Sequence, residues 1–148
     1  MPNGGEITIL TWNPDRFDWG DDYPEAISKT ARGHRVDGDW STGGRKSGLE
    51  PGDTAFLLRQ GTQGRGIVAR GEVASEIFQD PLFDNPEEIG NYVLVRWDRV
   101  VSVEDALSTE TLKVEMPEVN WDRLQMSGTF LKPALHTRLE QLWSEQLG

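Results

Sequence analysis

Two apolar runs separated by a glycine-rich turn constrain this chain more than any other feature. Residues 54–60, Thr-Ala-Phe-Leu-Leu-Arg-Gln, and residues 67–73, Ile-Val-Ala-Arg-Gly-Glu-Val, flank the hexapeptide Gly61-Thr62-Gln63-Gly64-Arg65-Gly66. Runs of this length and apolar content pair as an antiparallel hairpin around such a turn. The glycines superficially suggest a phosphate-binding loop, but no helix follows whose N-terminus would hold the anion. The chain therefore has to build a sheet around this hairpin.

Other segments extend that sheet. Residues 6–12 are β-branched and predict a first strand, stopped at Asn13-Pro14 because proline cannot continue a ladder. Residues 91–101 alternate Tyr92, Leu94 and Arg96 against Val93, Val95 and Trp97, the period of a strand. Residues 24–31 predict a short helix with proline at its opening, and residues 102–112 a second one capped by Ser102. In residues 134–147, Leu135, Leu139, Leu142 and Trp143 fall on one helical face. Residues 80–90 read as a polar surface loop. Residues 33–48 read as a long glycine-rich loop holding Trp40, and loops of that length usually have a functional reason. Short turns between strands, with helices at irregular intervals, predict one α+β domain over residues 1–148, its sheet curled and mixed or antiparallel, and argue against a doubly wound fold.

Composition narrows the chemistry. The 148 residues contain no cysteine and two histidines, His34 and His136. Disulfides, thiol nucleophiles and cysteine zinc sites are excluded, and a histidine-based metal site is not expected. No secretory leader pattern and no apolar run of bilayer length occur, so a cytoplasmic protein without a membrane partner is expected. The net charge of −10 opposes loose attraction to nucleic acid. Between Lys29 and Arg70, however, eight cations face four acids, so a polyanion could meet one face of an otherwise acidic molecule.

Six tryptophans are unequal in context. Trp97 and Trp143 sit on periodic apolar faces and read as core. Trp12 ends a strand beside Asn13, and Trp40 stands among Asp39, Ser41 and Thr42. Two such rings could sandwich a planar ligand while amides and hydroxyls read its edge; the alternative is that Trp40 folds back as a lid on the core. The acids Asp15, Asp18, Asp21 and Asp22 lack a nearby histidine or lysine to complete a hydrolytic arrangement, so a binding role without cofactor or metal is expected over catalysis.

Taken in order, Trp12-Asn13-Pro14, Trp40-Ser41-Thr42-Gly43, Gly52-Asp53 through Arg59-Gln60-Gly61, and Gly66-Ile67 through Glu72-Val73 resemble an EVE domain, of the PUA-like superfamily related to YTH and ASCH domains. The start Asn13-Pro-Asp-Arg-Phe-Asp-Trp19 and the tail from Val119-Asn120-Trp121 to Ser127-Gly128 are similar to the EVE-like module of bacterial modification-dependent HNH endonucleases. The resemblance implies a small curled β-barrel flanked by helices. It further implies a pocket for a modified base, 5-methylcytosine or 5-hydroxymethylcytosine, flipped from double-stranded DNA. Trp12, Asn13, Trp40, Ser41, Thr42, Arg59 and Gln60 would form that pocket, and Arg45, Lys46 and Arg65 would meet the DNA. With no HNH constellation the chain would bind and not cut, acting beside a fused or associated HNH nuclease. A YTH-like reader of methylated RNA and a protein-interaction module are the alternatives.

Overall fold

The computed structural model describes residues 5–15, 18–62, 64–82, 85–124 and 127–148. Arg16, Phe17 and Gln63, which belong to the motifs above, lie outside the described residues. Among the described residues, eight strands and three α-helices follow in the order β1 (Ile7–Trp12), α1 (Asp22–Ala31), β2 (Val36–Ser41), β3 (Thr54–Arg59), β4 (Gly66–Val73), β5 (Phe78–Pro81), β6 (Ile89–Val100), β7 (Leu107–Ser108), α2 (Thr109–Glu115), β8 (Thr129–Leu131) and α3 (His136–Leu147). The expected α+β architecture is present. The main path of the sheet runs β2-β6-β4-β3-β1-β8, with β5 on β6 and β7 on β4. β1 and β3 are parallel and every other pair is antiparallel.

The predicted hairpin is the centre of the molecule. Ala55 to Leu58 and Ile67 to Ala69 are buried on both faces of the sheet, which is why these strands read as near-continuous apolar runs. The ladder slips once between Leu57 and Leu58 and again between Arg70 and Gly71. Bulges of this kind add twist and bend the strand that carries them. At the second, a Cβ on Gly71 would meet the Arg96 carbonyl oxygen at 2.5 Å, so only glycine fits.

The sheet curls without closing into a complete ladder. Its β1 and β2 sides approach at one end, where Ser127 spans them: its hydroxyl accepts from the Thr11 backbone N–H at 3.0 Å and donates to the Ser41 carbonyl at 2.6 Å. Helix α1 packs against β6. There Thr30 donates to Ala26 O and accepts from Val100 N, both at 2.9 Å. Pro24 falls in the first turn of α1, where a missing N–H costs nothing. Helix α3 presents Trp143 edge-on to Phe56 at 6.0 Å between centroids.

Three expectations are corrected. Residues 33–48 are not one loop: β2 lies inside them, paired with β6 from Val36↔Trp97 to Ser41↔Tyr92. An edge strand with alternate acids, Asp37 and Asp39, carries too little apolar signal to read as a strand alone. Residues 102–112 do not form a single helix, because Leu107 and Ser108 pair with β4 and α2 starts only at Thr109, capped by Ser108. Residues 80–90 include the ends of β5 and β6, which pair as far as Pro81↔Ile89.

Candidate functional site

Five aromatic rings converge where β1 and β2 approach. Trp12 ends β1, Trp40 lies near the end of β2, Trp97 sits behind it on β6, and Trp19 and Tyr23 come from the entry and first turn of α1. Trp19 stacks on Tyr23 at 5.1 Å and 19°. It stands edge-on to Trp12 at 5.4 Å and to Trp40 at 4.9 Å. Trp12 and Trp40 are 6.4 Å apart at 68°, and Trp40 meets Trp97 at 6.1 Å and 80°. Edge-to-face geometry of this kind satisfies the ring quadrupoles.

Exposure ranks the rings. Trp97 is fully buried, Trp12 and Trp40 are 5% and 7% exposed, and Trp19 is only half-buried. Trp19 is therefore the outer member. The Tyr23 hydroxyl donates to the Val101 carbonyl at 2.6 Å, and burial pushes its pKa up to about 12, so it remains a neutral anchor. The Arg59 guanidinium lies 5.3 Å from the centre of the Trp12 ring, a cation–π contact at the far side of the cluster.

The structure brings several of the sequence-predicted residues together, with roles first of all in shaping the backbone. Asn13 Oδ1 accepts from Asp15 N at 3.0 Å, and Ser41 Oγ accepts from Gly43 N at 3.1 Å, both local turns. Thr42 is buried and donates to Arg45 O at 2.8 Å. Gln60 follows β3, its N–H donating to Trp12 O and its amide to Leu124 O. These residues ring the strand ends beside Trp12 and Trp40.

The three cations expected at phosphates are dispersed in function. Arg45 donates from Nε to Gly128 O at 2.7 Å and lies 4.5 Å over the Phe130 ring, clamping its loop to β8. Arg65 pairs with Asp122 at 3.2 Å, and Lys46 is exposed in the turn beyond β2. Other cations of the central segment also have acidic partners: Lys29 with Glu25, Arg35 with Glu72, and Arg70 with Asp98 and Glu140. Among the described residues, no three metal-ligating side chains converge, and no helix is long and apolar enough to cross a membrane.

Sequence reading missed Trp19 and Tyr23. The signal was there: a separation of four at a helix entry places two rings on one side, but the acids between them read as solvated loop. It also assigned Trp97 to the core alone, although that ring backs the cluster.

No family model and no curated protein matches the chain. Solved structures share its fold. A hypothetical protein from Leishmania major superposes with a TM-score of 0.66 at 15% identity, covering 97% of each chain. The Mmi1 YTH domain gives 0.55 at 10% identity over 96% of this chain and 76% of the other. The YTH domain-containing protein Mmi1 in a complex with RNA gives 0.51 at 12% identity over 96% and 86%. The chain has a fold similar to that of YTH domains, its curled mixed sheet carrying helices and an aromatic cluster at one end.

Proposed function

We propose that this chain is a nucleic-acid reader that takes a modified base, extruded from its stack, against the aromatic cluster. The observation that carries the reading is that cluster: five rings at the strand ends, with the outermost, Trp19, half-buried and stacked on an anchored tyrosine. Stacking on such a surface contributes about 1–3 kcal/mol per base, enough to offset much of the cost of extrusion.

A base sandwiched between two rings needs parallel walls about 7 Å apart, twice the contact distance of carbon atoms. Trp12 and Trp40 are too oblique for that at 68°, and Trp19 stands against both. The base therefore stacks on the outermost ring, Trp19, and not between Trp12 and Trp40. In this reading Asn13, Ser41 and Gln60 meet its edge, and Lys46, exposed in the turn beyond β2, meets the backbone.

The EVE resemblance supports double-stranded DNA carrying 5-methylcytosine or 5-hydroxymethylcytosine as the target. In that reading the chain is the targeting module of a modification-dependent restriction system and leaves cleavage to an HNH nuclease. A second reading, a methylated base in RNA, is favoured by a specific observation: one protein of the same fold is solved in complex with RNA.

Tryptophan fluorescence tests both. The chain is titrated with matched duplexes carrying cytosine, 5-methylcytosine or 5-hydroxymethylcytosine at one position, and with methylated and unmethylated RNA of the same sequence. Quenching selective for one modified oligonucleotide is expected. Equal or absent responses throughout would sink the reader assignment.

A further inference from the structure

A groove of about 140 Å³ opens at the β8 edge of the sheet, between that strand and residues 118–124. Ile9, Val119, Leu124, Phe130 and Leu135 make it apolar, and Val119, Leu124 and Phe130 are only partly buried. Sites for whole small molecules run to about 300–1,000 Å³, so this one suits a single flat ring. Two links tie it to the aromatic cluster. The Leu124 carbonyl accepts from the Gln60 amide, and Ser127, three residues before Phe130, is bonded to Thr11 and Ser41. Along β1, Ile9 stands three residues before Trp12, about 10 Å, which is the rise of about three stacked nucleotides.

The charges around the groove run against the sign of the chain. Glu118, on its rim, is held by Arg138 at 3.2 Å. Lys132 on the same rim has no acidic partner among the described residues, and neither have Arg45 and Lys46 in the loop that packs on Phe130. Both lysines are exposed, and Arg45 brings its guanidinium 4.5 Å over the Phe130 ring. In a protein of net charge −10, this is a local attraction for an anion beside an apolar slot. A basic segment is repelled, and a lone carboxylate side chain brings no ring. A nucleotide has both parts, a flat ring for the groove and a phosphate for the lysines.

We propose that this groove takes an unpaired base from the strand that carries the modified one, laid against Phe130 with its phosphates toward Lys132 and Lys46. The inference rests on the reader function proposed above and specifies the form of its target, a strand whose bases beside the modification are free. In a fully paired duplex the neighbouring bases are stacked and paired, so filling the groove requires a second extrusion. Phosphate contacts fix the register of the strand, and a base against a ring is held whatever its identity. The groove therefore adds affinity for a single strand without reading its sequence.

Fluorescence anisotropy on the full chain tests this with end-labelled probes: single-stranded DNA holding one central 5-methylcytosine, RNA of the same sequence holding 5-methylcytidine, each annealed to its complement, and versions abasic on one side of the methylated position. The single strand should bind about tenfold more tightly than its duplex, and abasic sites on one side alone should weaken it by about five- to a hundredfold, the worth of one stacked base. Phe130→Ala should produce the same loss with the intact strand and no further loss with the abasic one. Lys132→Ala, a surface change that leaves the melting temperature at the wild-type value, should lower the slope of log affinity against log salt by about 0.7; it carries the test if Phe130→Ala fails to fold. Equal binding of intact and abasic strands, a duplex bound as tightly as its single strand, or an unchanged salt slope in Lys132→Ala overturns the proposal. If a modified oligonucleotide is bound selectively while its flanks change nothing, the inference falls and the reader stands; if no oligonucleotide binds in either experiment, both fall.

Discussion

The two aromatic ends of the sheet are built on opposite terms. Under α3, Trp143 is 3% exposed and closes edge-on against Phe56, and Arg70 lies 5.8 Å over the same phenyl ring. That guanidinium is held at both ends, bidentate to Glu140 at 2.7 Å and to Asp98 at 2.8 Å. At the α1 end the outer ring is only partly buried, and among the described residues the acids lining the cleft between α1 and β2 outnumber the one cation, Lys29, and the Trp97 indole N–H is buried without an acceptor. The Arg70 guanidinium is satisfied within the fold, whereas the outer ring at the α1 end is only partly covered, and that asymmetry separates an enclosed aromatic packing from an open one.

The comparison breaks most visibly at the α3 end. Trp143→Ala removes a fully enclosed ring and should cost about 3–5 kcal/mol of stability in urea titration, with base selectivity unchanged in the folded fraction. A loss below 1 kcal/mol would mean that α3 is not part of the core. Trp19→Ala should do the reverse: stability falls less than in Trp143→Ala, because the ring is only partly buried, while binding of the preferred oligonucleotide weakens by about 1–3 kcal/mol. Unchanged affinity in that variant would remove Trp19 from the site.

A smaller effect sharpens the contrast through pH. Asp98 is held above the usual carboxylate range, first by burial, with the like charge of Glu140 adding to it and Arg70 pulling the other way. Arg70 itself is kept charged first by its hydrogen bond to Glu140, so Glu140 is the main counterion and Asp98 the weaker one. A raised carboxyl pKa contributes stability that is full below the unfolded value and lost as pH rises through the folded one. Asp122 has the opposite sign: its hydrogen bond to Lys113 lowers it, so its contribution is present above the ordinary carboxylate range and lost in acid. Comparison of melting temperatures from neutral pH to pH 3 should therefore show wild type gaining on Asp98→Asn as pH falls and losing ground to Asp122→Asn. Parallel curves would contradict both assignments.

How much of this was legible in the sequence follows from the same physics. The β3–β4 hairpin, β1, α1 and α3 announce themselves because each carries a continuous or periodic apolar signal. Strand β2 does not, since its inward positions are Val36, Gly38 and Trp40 and the glycine interrupts the pattern at its centre. β8 has three residues, too few for any period. At the site, Trp12 and Trp40 stood out by their polar neighbours, yet those neighbours first serve the backbone: Asn13 and Ser41 close turns and Thr42 holds Arg45. Distinguishing a hydroxyl that caps a turn from one that meets a ligand requires knowing which N–H is within reach.

Ser127 has a consequence for exchange with solvent. The amide of Thr11 is held by a side-chain oxygen and not by a neighbouring strand, and the same hydroxyl passes the bond on to the Ser41 carbonyl. One rotation about the Cα–Cβ bond of Ser127 carries Oγ away and releases both ends, whereas freeing the amides of β3 requires the central hairpin to part. Deuterium should therefore enter at Thr11 long before it reaches Leu57, and the seam that Ser127 fastens between β1 and β2 opens directly beside the aromatic cluster.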